Sequence, residues 1–395
     1  MTGNTFGRVF RVTTCGESYG GALGIIVDGV PPGLELSEAD IQPDLDRRRP
    51  GTSAIESPRG EEDRVEVFAG VQGGYTTGAP VGMLIRNVDR QQMHVDQYAE
   101  VKHLIRPGHA EWPYFVKYGR FTDWCGAGRA SGRETAGRVA AGAIARKLLA
   151  REGVDVIAYV TEVAGIKARP MGFEEAKAKR DQNEIRCPDA EAAAKMIERV
   201  LEVKAEGDTA GGIVQGIARG VPPGLGEPVF DKIDGDLAKA LISVPAIKGI
   251  EFGAGFAAKD MKGSEHNDIP YIEGDRIRHR TNNAGGVLGG VSTGEDIVLR
   301  VVVKPTCTIS LEQDTVHLWD WKPAKFRATT RRDAQICSRA APVVEAMMAL
   351  VILDHLMIWR GTKHLARPET ANVPEGTKEY FDLLNRACPD TEWHR

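Results

Sequence analysis

Gly29-Val30-Pro31-Pro32-Gly33-Leu34 recurs unchanged as Gly220-Val221-Pro222-Pro223-Gly224-Leu225, 191 residues further on. Working outward, Gly16-Glu17-Ser18-Tyr19-Gly20-Gly21 resembles Gly207-Asp208-Thr209-Ala210-Gly211-Gly212 at the same offset. A helical pattern follows each copy, at 38–48 and 230–243. A third echo pairs Gly70–Gly78 with Gly286–Gly294 at an offset of 216, so the second copy carries an insertion. Each copy then reaches a basic residue before proline, Arg106-Pro107 and Lys304-Pro305. Each ends in a long helix, at about 134–151 and 339–359. Glycine and proline turns recur by chance, but four echoes in one order point to a duplicated chain.

The predicted fold is therefore α+β, with two similar halves packed about a pseudo-two-fold axis. Strands are expected at 8–13, 23–28, 64–69 and 297–303, where apolar residues run or alternate between turn signals. Between the halves, 189–205 reads as an exposed helix capped by Asp189, with Met196, Ile197, Val200 and Leu201 on one face. One domain is expected over 1–367, with halves of about 1–165 and 195–365. A polar, proline-containing tail over 368–395 is expected to lie on the surface.

Glycine supplies 45 of the 395 residues, about 11% against a usual level of roughly 7%. With 42% hydrophobic residues and a net charge of −4, the chain is neither collagenous nor disordered. The charge balance excludes a general nucleic-acid or anionic-membrane surface. Arginine is nevertheless grouped, at Arg47-Arg48-Arg49, at Arg129, Arg133 and Arg138, and at Arg331-Arg332. Such groups in a mildly acidic chain suit a small anionic substrate. The six cysteines form no C-x-x-C pair and no zinc framework, and they read as reduced thiols of a cytoplasmic protein. The start of the chain has no apolar signal core. The most apolar stretch, 341–359, contains Pro342, Glu345, Asp354 and His355, so it reads as a buried core helix.

Four stretches carry candidate chemistry. Lys304-Pro305-Thr306-Cys307-Thr308 ends an apolar strand, where an ammonium and hydroxyls can hold a phosphate; an ordinary turn would look the same. The five glycines within 285–294 would let backbone N–H groups approach an anionic or flat ligand. Gly126–Thr135 opens a helix whose N–H groups, with Arg129 and Arg133, make an anion site; a plain cap by Ser131 and Glu134 is the alternative. His109 sits in the turn Arg106-Pro107-Gly108-His109, from which it could donate a proton to a leaving phosphate or serve structure alone. The Arg47–Pro50 run reads as a solvated face. Arg331-Arg332-Asp333 reads as a surface cluster or a carboxylate held by cations. No Walker pattern, placed dinucleotide fingerprint or nicotinamide signature occurs.

Taken together, these motifs resemble the chorismate synthase family over nearly the whole chain. The specific pieces are Arg48-Arg49-Pro50-Gly51, Arg106–Ala110, Arg129–Thr135, Gly263–Asp268 and Lys304-Pro305-Thr306, with the start from Asn4 to Thr14. The resemblance implies a β-α-β sandwich and a homotetramer. It implies a lyase that eliminates phosphate from 5-enolpyruvylshikimate 3-phosphate, with reduced FMN as cofactor. By matching motif, Arg48, Arg49, Ser131, Arg133 and Arg331 would hold the phosphorylated substrate. Arg129, Ala130, Ser131, Pro245, Ala246, Gly289, Lys304, Pro305, Thr306, Cys307, Thr308 and Arg331 would surround FMN. His109 would serve the departing phosphate, and Asp333 would stand beside the flavin. No metal is implied.

Two departures fall at the flavin end. The family's Gly-Glu-Ser-His-Gly is Gly16-Glu17-Ser18-Tyr19-Gly20 here, and its Arg-His-Asp-Pro-Cys is Arg331-Arg332-Asp333-Ala334-Gln335. Tyrosine, with an ordinary pKa of about 10, exchanges protons poorly at neutral pH. Tyr19 thus stands where the family places a presumed acid. Three readings are open: a chorismate synthase with altered proton delivery, a paralogue acting on another shikimate-like substrate, or a non-catalytic ligand-binding subunit.

Overall fold

The computed structural model describes residues 3–51, 53–56, 60, 62–89, 92–274, 276–328 and 333–363. Arg331, Arg332 and the 368–395 tail lie outside the described residues. In chain order the first part comprises β1 (Thr5–Phe6), β2 (Arg11–Cys15), β3 (Ala22–Asp28), α1 (Glu38–Arg48), β4 (Val65–Ala69), β5 (Val71–Gln72), β6 (Tyr75–Thr76) and β7 (Val81–Arg86). Helices α2 (Gln92–Val101), α3 (Glu111–Tyr118) and α4 (Thr135–Arg151) complete it. Then come β8 (Asp155–Val163), β9 (Ile166–Lys167), α5 (Phe173–Lys179), α6 (Ala190–Ala205), β10 (Gly212–Arg219), α7 (Ile233–Ile242) and β11 (Ile247–Phe252). The last part holds α8 (Gly263–His266), β12 (Pro270–Glu273), β13 (Arg276–His279), β14 (Val287–Leu288), β15 (Val291–Ser292), β16 (Ile297–Val303), β17 (Gln313–His317), β18 (Lys322–Phe326) and α9 (Cys337–Lys363).

Two five-stranded antiparallel sheets result, ordered β1-β2-β3-β7-β4 and β11-β16-β10-β8-β9. Matching β2, β3, β7 and β4 to β8, β10, β16 and β11 gives the same order twice. The repeated turns fold identically as well. Gly33 and Gly224 donate to the carbonyls of Thr76 and Ser292, and the Thr76 and Ser292 hydroxyls donate to the carbonyls of Pro31 and Pro222. Gly29 and Gly220 sit at φ 85° and 79°, and a Cβ on either would strike the backbone carbonyl of Val9 or Gly153. The larger offset of the third echo reflects the 253–286 insertion that carries α8 and the β12–β13 hairpin.

Helix α4 lies on the first sheet and α9 on the second, and the two helices pack together between the sheets. Small residues make this layer possible. Gly137 faces Ile25 and Thr14, and a Cβ on Gly142 would lie 2.6 Å from the Ala346 Cα. The apolar stretch of α9 could span a membrane by length, but 89% of its most apolar window is buried inside the fold.

Strand β2 starts at Arg11 rather than at residue 8. The N–H groups of Arg8, Val9 and Phe10 instead donate to the Asp354 carboxylate at 2.9, 2.7 and 2.8 Å. Helix α7 starts at Ile233, three residues later than its pattern, because Asp231 bridges back to Glu227. Helix α6 is capped by Asp189 as expected, but it is not simply exposed. Its buried stripe is Ala192, Ala193, Met196, Val200 and Val203, while Leu201 points outward.

One buried carboxylate ties these elements together. Glu345 of α9 accepts from Arg47 of α1 at 3.2 Å and from Arg180 at 2.6 Å, and lies 2.8 Å from Arg146 of α4. Burial alone would push its carboxyl up, but the three guanidiniums pull it down to about 2. A carboxyl depressed in the folded state stabilises the fold above its unfolded value and loses that contribution as pH falls. Stability should therefore drop as pH falls from 4.5 towards about 2. Glu345→Gln should cost about 3–5 kcal/mol at neutral pH and flatten the acid limb, as read by urea unfolding at several pH values.

Candidate functional site

Among the described residues, the predicted ones other than Gly289 gather at the end of the molecule where β7 and β16 finish and α4 begins. The arginine run at the end of α1 is not a solvated face. Arg48 is fully buried and donates to Asp63 Oδ2 at 2.6 Å, to the Gly132 carbonyl at 2.9 Å and to Thr135 Oγ1 at 3.3 Å. Arg133 pairs with the other oxygen of Asp63 and donates to Asn87 Oδ1 at 2.8 Å. Burial would raise the Asp63 carboxyl, but Arg48 and Arg133 hold it below its ordinary range. Burial lowers Arg48 to about 10. Arg49 differs: its buried Nε faces Asp46 Oδ1 at 3.7 Å, too far for a hydrogen bond, and the rest of its side chain is partly exposed. It is the member of the run with a donor to spare.

Contacts lead from this pair around the site in both directions. Asn87 Nδ2 donates to the carbonyls of Glu17 and Gly20 at 3.0 and 2.8 Å, closing the turn that carries Tyr19. The Tyr19 ring meets Tyr98 edge-on at 5.5 Å, and the Arg106 guanidinium lies 5.6 Å from the Tyr98 ring centre. Arg106 Nη2 is 3.3 Å from His109 Nδ1, and Lys304 Nζ donates to the Gly108 carbonyl at 2.7 Å. In the other direction Arg339 donates to the Arg48 carbonyl at 3.2 Å and to Asp333 Oδ2 at 3.1 Å. Thr306 Oγ1 donates to the Asp333 carbonyl at 2.9 Å. The structure thus joins Tyr19, Arg48, Arg133, Asp333, Thr306, Lys304 and His109 in one circuit.

Other predicted residues have more specific places. Arg129 spends its donors on Asn4, Thr14 and the Gly16 carbonyl, so it braces the first sheet against the 126–134 loop. Ser131 Oγ accepts from the Arg133 N–H at 3.2 Å, and Ala130 lies in the 3-10 turn before it. The plain capping role is therefore present at Ser131, although α4 itself begins only at Thr135. The Ala246 carbonyl accepts from the Lys304 N–H at 3.0 Å, which sets Pro245 and Ala246 beside the 304–308 turn. Cys307 lies against Gly108; burial pushes its thiol up, while Lys304 and Arg106 pull it down. Gly289 occupies the β14–β15 hairpin at the opposite end of β16, roughly 20 Å from Lys304 at about 3.3 Å per residue. Most glycines of 285–294 serve packing: Gly285 meets Gly253, Gly290 meets Lys232, and Gly294 meets Pro223. Gly289 alone faces open space among them.

Asp63, Asn87, Tyr98, Glu111 and Arg339 were not legible as site residues. Asp63 lies in a loop and adopts φ 49°, which no sequence motif announces. Glu111 follows the histidine motif by two residues; its Oε1 accepts from Arg106 at 2.6 Å and lies 3.2 Å from His109 Nδ1. Burial raises its carboxyl, but His109 and Arg106 outweigh that and lower it.

This fold and its site define an α+β protein with arginines, a lysine and a histidine gathered at one end. The family model described as chorismate synthase matches residues 10–357. A chorismate synthase of Acetivibrio thermocellus is 52% identical, covering 93% of this chain and 98% of its own length. One of Methanosarcina mazei is 50% identical, covering 90% and 97%. A solved chorismate synthase structure superposes with a TM-score of 0.71 at 29% identity, covering 96% of this chain and 99% of its own. The chain belongs to the chorismate synthase family.

Replacing Asp63 would leave two buried guanidiniums without their counter-charge. Asp63→Asn should cost about 3–5 kcal/mol in denaturant unfolding. An unchanged unfolding midpoint would show that Arg48 and Arg133 reach solvent.

Proposed function

We propose that this protein is a lyase that eliminates phosphate from 5-enolpyruvylshikimate 3-phosphate to give chorismate. The circuit of cations around His109 carries the reading, together with roughly half-identical relatives that bear the name over nearly their whole length. Arg49, partly exposed and held only by its loose pair with Asp46, is the donor we assign to a substrate carboxylate or phosphate. Arg48 and Arg133 supply positive potential from behind, fixed by Asp63, and Ser131 lies at their edge. Arg331 extends this set by sequence match. His109 is the group we assign to hand a proton to the departing phosphate. Neutralising that phosphate is what lets the C–O bond break.

Reduced FMN is the cofactor of this reading. The 304–308 turn fits a phosphorylated group: the charges of Lys304 and Arg106 make it electropositive, and Thr308 adds a hydroxyl, whereas the Thr306 hydroxyl is already spent on the Asp333 carbonyl. Pro245, Ala130 and Ser131 would flank the group, while Arg129 would act by bracing. Reduced flavin supplies electron density that the reaction borrows and returns. Asp333, steadied by Arg339 and Thr306, is suited to hold a proton near it. Tyr19 is held by Tyr98 and packs against Gly126, and we assign its hydroxyl to this site in place of an imidazole. Gly289 would serve flavin only from a neighbouring copy, which accords with the homotetramer of the reading. We further take residues 1–367 as one functional unit, because α4 and α9 pack together between both sheets. We place the protein in the cytoplasm.

The test is an anaerobic assay with reduced FMN and 5-enolpyruvylshikimate 3-phosphate, following phosphate. Release well above background is expected; none would sink the reading, and flavin binding without turnover would favour a paralogue. Tyr19→His should raise the rate, since a lost general acid costs about 10²–10⁴-fold. A lower rate would mean that Tyr19 serves other chemistry.

A further inference from the structure

We propose that the cavity between α3, the 119–124 segment and the β17–β18 hairpin binds a small aromatic zwitterion, of the aromatic α-amino acid class. The cavity measures about 270 Å³. That lies at or below the range of about 300–1,000 Å³ for larger ligands, so it suits a metabolite well short of a nucleotide or flavin. None of the residues assigned above to FMN or substrate lines it.

Its walls have the two properties such a ligand needs. Tyr114, Phe115, Trp124 and Trp319 present aromatic surface. Trp319 is 65% exposed, an uncommon state for so large an apolar ring. Lys102 and Arg120 supply positive charge, and Glu111 and Asp123 supply negative charge. Lys102 Nζ stands 5.6 and 5.8 Å from the Trp124 and Trp319 ring centres. Neither Lys102 nor Arg120 has a carboxylate partner among the described residues. The balance favours a zwitterion over a dianion.

The most informative atom is Glu111 Oε2. It is buried and has no hydrogen-bond partner, whereas Oε1 is fully engaged with Arg106 and His109. An unmet buried carboxylate oxygen is costly, and it calls for a donor. Oε2 is closed to solvent in this arrangement, so an α-ammonium group in the cavity would supply that donor once the Glu111 carboxylate turns towards it. The α-carboxylate would meet Lys102 or Arg120, and the ring would lie against the indoles. A neutral aromatic would leave Oε2 unmet, and an aromatic acid without the ammonium would set an anion beside it. Because the same carboxylate touches His109, occupancy would be sensed there; that coupling, unlike the binding itself, rests on the role proposed for His109.

Calorimetric titration of the full chain with L-phenylalanine, L-tyrosine and L-tryptophan tests the site. Saturable one-to-one binding of at least one is expected. Lys102→Gln and Trp319→Ala, each checked for folding by circular dichroism, should weaken it by about tenfold or more, as should use of 3-phenylpropionate. Absence of binding by all three at millimolar concentration would overturn the proposal. So would binding that ignores both substitutions, or equal binding of 3-phenylpropionate. Nitrogen shifts of the His109 ring on titration report the coupling. Phosphate release is measured separately, so binding without turnover would sink the lyase reading while leaving this site standing.

Discussion

Two adjacent arginines at the end of α1 decide how the molecule holds together. Arg47 turns to Glu345 in the helical layer, and Arg48 turns to Asp63 under the site. A buried ion pair has no automatic net benefit, because desolvation offsets attraction. Its consequence is geometric: once the charges are buried, any arrangement that separates them is strongly disfavoured. Glu345 fixes α1, α4, α9 and the residue after α5 relative to one another. Asp63 fixes α1 against the start of α4. The scaffold and the floor of the site are therefore set by neighbouring links of one helix.

That arrangement explains how a site for an anion can contain so many arginines with their charges already matched. Arg48, Arg133 and Arg129 are committed to protein partners, so they contribute rigidity and field rather than loose side chains. Preorganised charge costs little reorganisation when a reaction creates negative charge. On the proposed function, the groups left to meet a ligand are fewer: Arg49, Lys304, Thr308 and His109. Tyr19 fits this logic, because its turn is held by Asn87 and its ring by Tyr98. The substitution occurs in an intact frame.

The duplicated topology was readable because turns impose local rules. The Gly-Val-Pro-Pro-Gly-Leu repeat needs its first glycine where a Cβ would strike a backbone carbonyl just ahead of the neighbouring strand, and both copies meet that need in the same way. Helices α1, α4 and α9 were readable from their periodicity and small residues. Strand β2 and helix α7 began later than expected because Asp354 and Glu227, distant or non-periodic partners, captured the preceding backbone. Leu201 was misplaced because neighbouring apolar positions on a helix do not say which stripe meets the core.

The sequence by itself determined the α+β duplication, the glycine positions and the identity of most charged groups at the site, because each depends on local backbone rules or on a contiguous motif. Only the tertiary structure decided which arginines are spent and which are available. Asp63, Asn87, Glu111 and Arg339 come from different segments, and no spacing along the chain marks them as partners. Electrostatic pairing depends on distance and burial in space, and those are fixed only when the two sheets close on α4 and α9.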